Sequence, residues 1–199
     1  MTARSLRTLE LAASLALPLA LACAPTESTR DSDLASFAHE RLAEGVHPTY
    51  VDFGGKLALV GFELSPDGVL APDSQVHLTL YWKRTGAIEP GWGLFTHLED
   101  ERGRQLMNFD KDGPLRNVLA GKPEGVSSFE LGKVYTDEQT FQMPKEAVST
   151  PRETFVVGVW KGDMRLPVIS GESDGHDSGI VTHISTGVPR RQAPRAPQG

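Results

Sequence analysis

Hydrophobic and polar positions alternate with period two over much of this chain, most clearly between Val76 and Asp100. Val76, Leu78, Leu80 and Trp82 fall on one face, with His77, Thr79, Tyr81 and Lys83 on the other. Trp92, Leu94, Thr96 and Leu98 then alternate with Phe95, His97 and Glu99. This period, carried by Val, Thr, Tyr, Phe and Trp, predicts strands. The same reading predicts strands over 104–110, 134–143, 154–161, 165–169 and 180–185. Residues 56–64 (KLALVGFEL) are almost continuously apolar, as in a strand covered on both faces. Ser65-Pro66-Asp67-Gly68, Pro72-Asp73-Ser74, Glu101-Arg102-Gly103 and Gly162-Asp163 are turn signals, and 111–125, 144–151 and 170–179 read as connections. Leu34, Phe37, Ala38 and Leu42 are spaced for a short amphipathic helix over 33–44, capped by Asp33 and stopped at Gly45. It is expected to pack on the sandwich edge. The expected fold is all-β: an antiparallel β-sandwich, Ig-like or jelly-roll-like, with a short N-terminal helix. The stretch 76–100 is its middle.

The chain has 199 residues and a formal charge of −6. A nucleic-acid partner needs a basic face, so this balance argues against one. Residues 1–22 read as an export signal: Arg4 and Arg7 precede a Leu/Ala-rich run too short and interrupted for a good membrane span. Leu19-Ala20-Leu21-Ala22-Cys23 resembles a bacterial lipobox, in which the cysteine takes a diacylglycerol thioether and becomes the mature N-terminus. The alternative is an ordinary signal cleaved after Ala20-Leu21-Ala22. Lipidation at Cys23 would anchor the chain firmly, since several acyl chains bind far more strongly than one. Ala24 follows the cysteine where Asp would signal inner-membrane retention, so this resemblance implies an outer-membrane lipoprotein, periplasmic or surface-facing. The chain's single cysteine is the anchor candidate, so no disulfide framework is available. Residues 23–33 read as a flexible tether, 34–186 as the sandwich domain and 187–199 as a disordered tail.

The ordered runs Val51 to Leu64, Leu78 to Trp82, Leu94 to Gly103, Gly132 to Asp137, Val157 to Trp160 and Arg165 to Val168 carry a further resemblance. Together they resemble a bacterial β-sandwich domain found as the C-terminal extracytoplasmic part of some membrane glycosyltransferases and in stand-alone exported proteins. The resemblance spans about residues 51–186. It implies an accessory or binding module without known catalytic residues. Residues 122–129 depart from the family pattern, which has a Pro-Thr and a Trp ahead of the Gly132 segment. The transferase's membrane spans are absent, so glycosyltransfer does not carry over.

The candidate chemistry is sparse. Asp110-Lys111-Asp112-Gly113 opens like a calcium loop but lacks the later ligands and is better read as an acidic turn. Asp174-Gly175-His176-Asp177 reads as a solvated loop, and the His residues show no zinc spacing. No G-x-S-x-G elbow is present. Glu99, Asp100 and Glu101 read as a solvated turn. No metal or other cofactor is expected. The candidate ligand platform is Tyr81, Phe95 and His97, if the second face of the central pair is open; the alternative is that a helix or loop covers it. The expectation is a lipid-anchored envelope protein, not an enzyme, whose sandwich binds a glycan or another envelope protein. The alternatives are a structural or protein-interaction lipoprotein of the outer membrane and, third, a hydrolase.

Overall fold

The computed structural model describes residues 33–145 and 152–187. The signal, Cys23, most of the tether and nearly all of the tail lie outside them. The described residues form two sheets packed face to face. The first has the order β1 (Ala38–His39), β8 (Val134–Gln142), β5 (Gln75–Arg84), β3 (Leu57–Ser65), β2 (His47–Phe53), β11 (Val168–Ser170). The second runs β4 (Val69–Leu70), β12 (Gly179–Thr186), β9 (Glu153–Lys161), β6 (Gly93–Glu99), β7 (Gln105–Asn108), and β10 (Met164–Arg165) extends it beside β9. Neighbouring strands are antiparallel, except that β4 runs parallel to β12. The expected all-β sandwich is therefore the fold.

The core fills the space between the sheets, as the alternation requires. Val76, Leu78, Leu80 and Trp82 of β5 are fully buried against Phe155, Val157 and Val159 of the facing sheet's cluster. The middle of β3 is also covered from outside. A Cβ at Gly61 would meet Val46 Cγ1 at 2.6 Å and Leu42 at 3.2 Å, so the N-terminal segment lies directly on this strand.

Three expectations are corrected. The helix expected over 33–44 is helical only at 33–35 among the described residues. The chain then extends into β1, whose Ala38 and His39 pair with Tyr135 and Val134. The open edge of β8 offers backbone hydrogen bonds, such as Thr136 N–H to the Phe37 carbonyl at 3.0 Å, that a helix would forgo. The loop expected over 111–125 contains helix α1 (Pro114–Ala120). Gly113 (φ 99°) admits no side chain, because a Cβ would lie 2.2 Å from the Glu138 carbonyl oxygen. Pro114 then starts the helix, which buries Leu115, Arg116 and Leu119. Finally, β5 and β6 do not share a sheet. The linker after Arg84 crosses the sandwich, its Thr85 and Gly86 N–H groups both donating to the Lys56 carbonyl.

Candidate functional site

That crossing decides the fate of the platform Tyr81, Phe95 and His97. Tyr81 lies on the outer face of the first sheet, 7% exposed, and donates its hydroxyl to Glu63 Oε2 at 2.6 Å. Burial, then Glu63, pushes its phenol well above the ordinary range. It lines a hollow together with Ser36, Phe37, His39, Arg41 and Ala43 of the N-terminal segment and Thr136 and Glu138 of β8. Phe95 and His97 lie on the opposite sheet, 2% and 9% exposed, with ring centroids 5.0 Å apart. The three side chains do not form one surface, and none is an open stacking face. Phe95 occupies the space that a side chain at Gly158 would need, with Cε1 2.2 Å from an ideal Cβ there. The Arg165 guanidinium covers its other side, 4.4 Å from the ring centroid.

The exposed aromatic on this sheet is Trp160. Along β9, Phe155, Val157 and Val159 point into the core, so Val156, Gly158 and Trp160 point out. Trp160 pairs with Gly93 of β6. A Cβ at Gly93 would lie 3.2 Å from Trp160 Nε1 and 3.7 Å from Cε2, so the indole rests over the bare glycine. Its Nε1–H donates to the Leu94 carbonyl at 3.3 Å. The chain's three tryptophans therefore differ: Trp82 is fully buried, Trp92 is 7% exposed and Trp160 is 41% exposed.

Two clefts meet at this indole. One, of ≈ 390 Å³, has Trp92, Leu119 and Pro123 among its apolar walls and Lys111, Lys122 and Lys161 among its polar ones. The other, of ≈ 330 Å³, lies on the side of Phe95, His97, Asp163 and Arg165. Asp110 borders both.

The wall of the larger cleft is set by Arg116. From α1 it reaches between the sheets, donating to Asp137 Oδ2 from Nε (2.9 Å) and Nη2 (2.7 Å), to the Leu94 carbonyl (2.7 Å) and to Thr96 Oγ1 (2.8 Å). Trp82 Nε1–H shares the same carboxylate oxygen at 3.2 Å. Asp110 is equally committed. It accepts Thr96 N–H and an Asn108 amide hydrogen, and His97 Nε2 lies 3.2 Å from Oδ1. Burial works to raise its carboxyl, but His97 together with these donors holds it below the ordinary range. Glu99, further along β6, is pushed up by burial and then by the charge of Asp174, against His97 and Arg165.

The two loops considered for cations are hydrogen-bonded turns. Asp174 Oδ1 accepts the His176 and Ser178 N–H groups, and Asp110 is held as above. Among the described residues no group of three or more His, Cys, Asp or Glu is arranged to hold a metal ion. Likewise among the described residues, no helix is long and apolar enough to cross a membrane.

Fold and site together define a β-sandwich domain with a two-lobed surface cleft around one exposed tryptophan. No family model matches the chain, and no curated protein sequence matches it. Solved structures similar to it include the C-terminal domain of Wzt, at 10% identity and TM-score 0.42, covering 73% of this chain and 83% of that one. Another is a CARDB domain from Pyrococcus furiosus solved in complex with di-metal ions, at 10% identity and TM-score 0.34, covering 73% of this chain and 98% of that one.

Proposed function

We propose that this chain is a lipid-anchored protein of the outer membrane whose sandwich binds a saccharide, without catalysis, in the cleft around Trp160. The observation that carries the reading is the presentation of that indole. One face rests on Gly93, the N–H is tied to the Leu94 carbonyl, and the ring borders a cleft with polar walls. A pre-fixed aromatic face stacks on the C–H face of a sugar at little entropic cost, while the polar walls serve its hydroxyls. The other polar groups favour binding over proton transfer, because Arg116 and Asp110 are engaged in structural hydrogen bonds.

The anchor rests on the signal-like residues 1–22 and on Cys23. Asp33 shares a hollow with Asn117, Val118, Gly121 and Lys122, so the chain enters the domain beside α1. Lys122 also lines the larger cleft. Nine residues, 24–32, lie between Cys23 and Asp33. Ten chain steps reach at most about 33–36 Å, which bounds how far an anchor at Cys23 would let the cleft stand from the membrane surface. The test is a glycan array probed with the full-length protein in detergent, beside Trp160→Ala. Binding by the wild type that the variant loses supports the reading; no binding to any saccharide contradicts it.

A further inference from the structure

The charge around Trp160 runs against that of the whole molecule. The chain carries a formal charge of −6, yet the two adjoining clefts are lined by Lys111, Arg116, Lys122, Lys161 and Arg165 against Asp110 and Asp163. The side-chain bonds show which of these groups are already engaged. Asp110 is engaged within its own site, accepting Thr96 N–H and an Asn108 amide hydrogen, with His97 Nε2 3.2 Å from Oδ1. Arg116 is paired with Asp137, while Arg165, held over Phe95 and bonded to the Ser178 hydroxyl, keeps its charge beside the smaller cleft. Lys161 lies across Gly91, a residue on which any side chain would crowd its Cε at 3.2 Å, and donates only to a neutral group, the Pro90 carbonyl at 2.7 Å. Among the described residues no carboxylate pairs with it, and its charge borders the cleft. Lys111 is exposed and lines the same cleft. Cations held around an aromatic face, in an otherwise acidic protein, focus a local positive field on whatever stacks there.

We infer that the saccharide bound at Trp160 is anionic, with a carboxylate or phosphate group lying toward Lys111 and Lys161 while its ring stacks on the indole. The inference rests on the saccharide reading above and narrows it to acidic sugars. Lysine suits this role because an ammonium is a compact point charge that accepts either anion without demanding a bidentate geometry. A neutral sugar would make the stacking contact and use the lysines only as hydrogen-bond donors to its hydroxyls, without the charge attraction.

The experiment titrates full-length protein in detergent with three probes: a uronic-acid oligosaccharide, the same oligosaccharide with its carboxyls reduced to alcohols, and a phosphorylated neutral oligosaccharide. The expected result is about tenfold tighter binding of at least one acidic probe than of the reduced one at low salt, the size two exposed ion contacts can supply. That margin shrinks with added salt. Lys111→Gln with Lys161→Gln removes the margin, bringing the acidic probes to the affinity of the reduced one, whereas Trp160→Ala weakens all binding. Whichever acidic probe binds more tightly identifies the anion. Equal binding of the reduced and acidic probes overturns the inference and leaves the saccharide reading standing. Acidic binding that Trp160→Ala does not weaken is diffuse polyanion attraction and overturns the inference as well. No binding of any probe overturns both.

Discussion

The Arg116 guanidinium and the Asp137 carboxylate meet at 2.7 Å in the interior of the sandwich, with side chains only 2% and 0% exposed. This contact ties α1 to the inner face of β8 and, through the Leu94 carbonyl, to β6 of the opposite sheet. Taking either partner away leaves the other charge buried and unpaired. Arg116→Ala and Asp137→Ala are each expected to cost about 3–5 kcal/mol, read as a lower midpoint in urea unfolding. Replacing both with apolar residues of matching volume should recover much of the loss.

Gly158 and Phe95 share one space across the β6–β9 pair. An added Cβ would sit 2.2 Å from Phe95 Cε1 and 2.3 Å from Cζ. Gly158→Ala should therefore displace the ring and destabilise the fold by about 1–3 kcal/mol. In a double-mutant cycle, Phe95→Leu should absorb much of that cost. A fully additive pair would show that the ring is not the obstacle.

Asp110 makes a specific prediction about acid. Its native carboxyl lies below the ordinary range: burial opposes this, but the His97 contact and the Asn108 and Thr96 donors outweigh it. The unfolded chain thus takes up this proton more readily than the native one. The stabilisation is complete above the unfolded aspartate value of about 4 and is lost as pH falls through the lower native value. Thermal unfolding of wild type and Asp110→Asn should show a stability gap that is steady near pH 7 and narrows toward pH 3. A gap that held constant down to pH 3 would contradict this account.

For the anchor, full-length protein expressed in a bacterium is expected to fractionate with membranes and to carry the mass of acyl chains. Cys23→Ala should lose both properties. Membrane association and mass unchanged by Cys23→Ala would show that this cysteine is not lipidated.

The strands were legible because burial on a sheet has period two. The β5 pattern from Val76 to Trp82 and the β9 run ending at Trp160 and Lys161 are strands as expected. What the pattern could not show is which strands share a sheet. Alternation around Tyr81 and Phe95 looks the same whether the two strands are neighbours or cross the sandwich. Their placement depends on the crossing at Lys56 and Thr85, a backbone contact with no side-chain signature. Helix α1 was missed because its seven residues sit among glycines and prolines, and its apolar face is completed by a paired arginine. Trp160 had a usable signal. It falls on the outward phase of β9, two residues after Gly158 and opposite Gly93. Recognising it as the open aromatic required knowing that Phe95 fills the gap at Gly158 while Trp160 has only glycine beneath it.

A saccharide that stacks on Trp160 loses its aromatic contact when the indole is removed. The most direct measurement compares saccharide affinity of the full-length wild type and Trp160→Ala, with Trp92→Phe as a control in the buried wall. Loss of the stacking contact is expected to cost about 1.5–3 kcal/mol, a drop of roughly 10- to 150-fold in affinity, with unfolding midpoints little changed because the indole lies at the surface. Saccharide affinity that survives Trp160→Ala intact, or wild-type protein that binds no saccharide, would contradict the account.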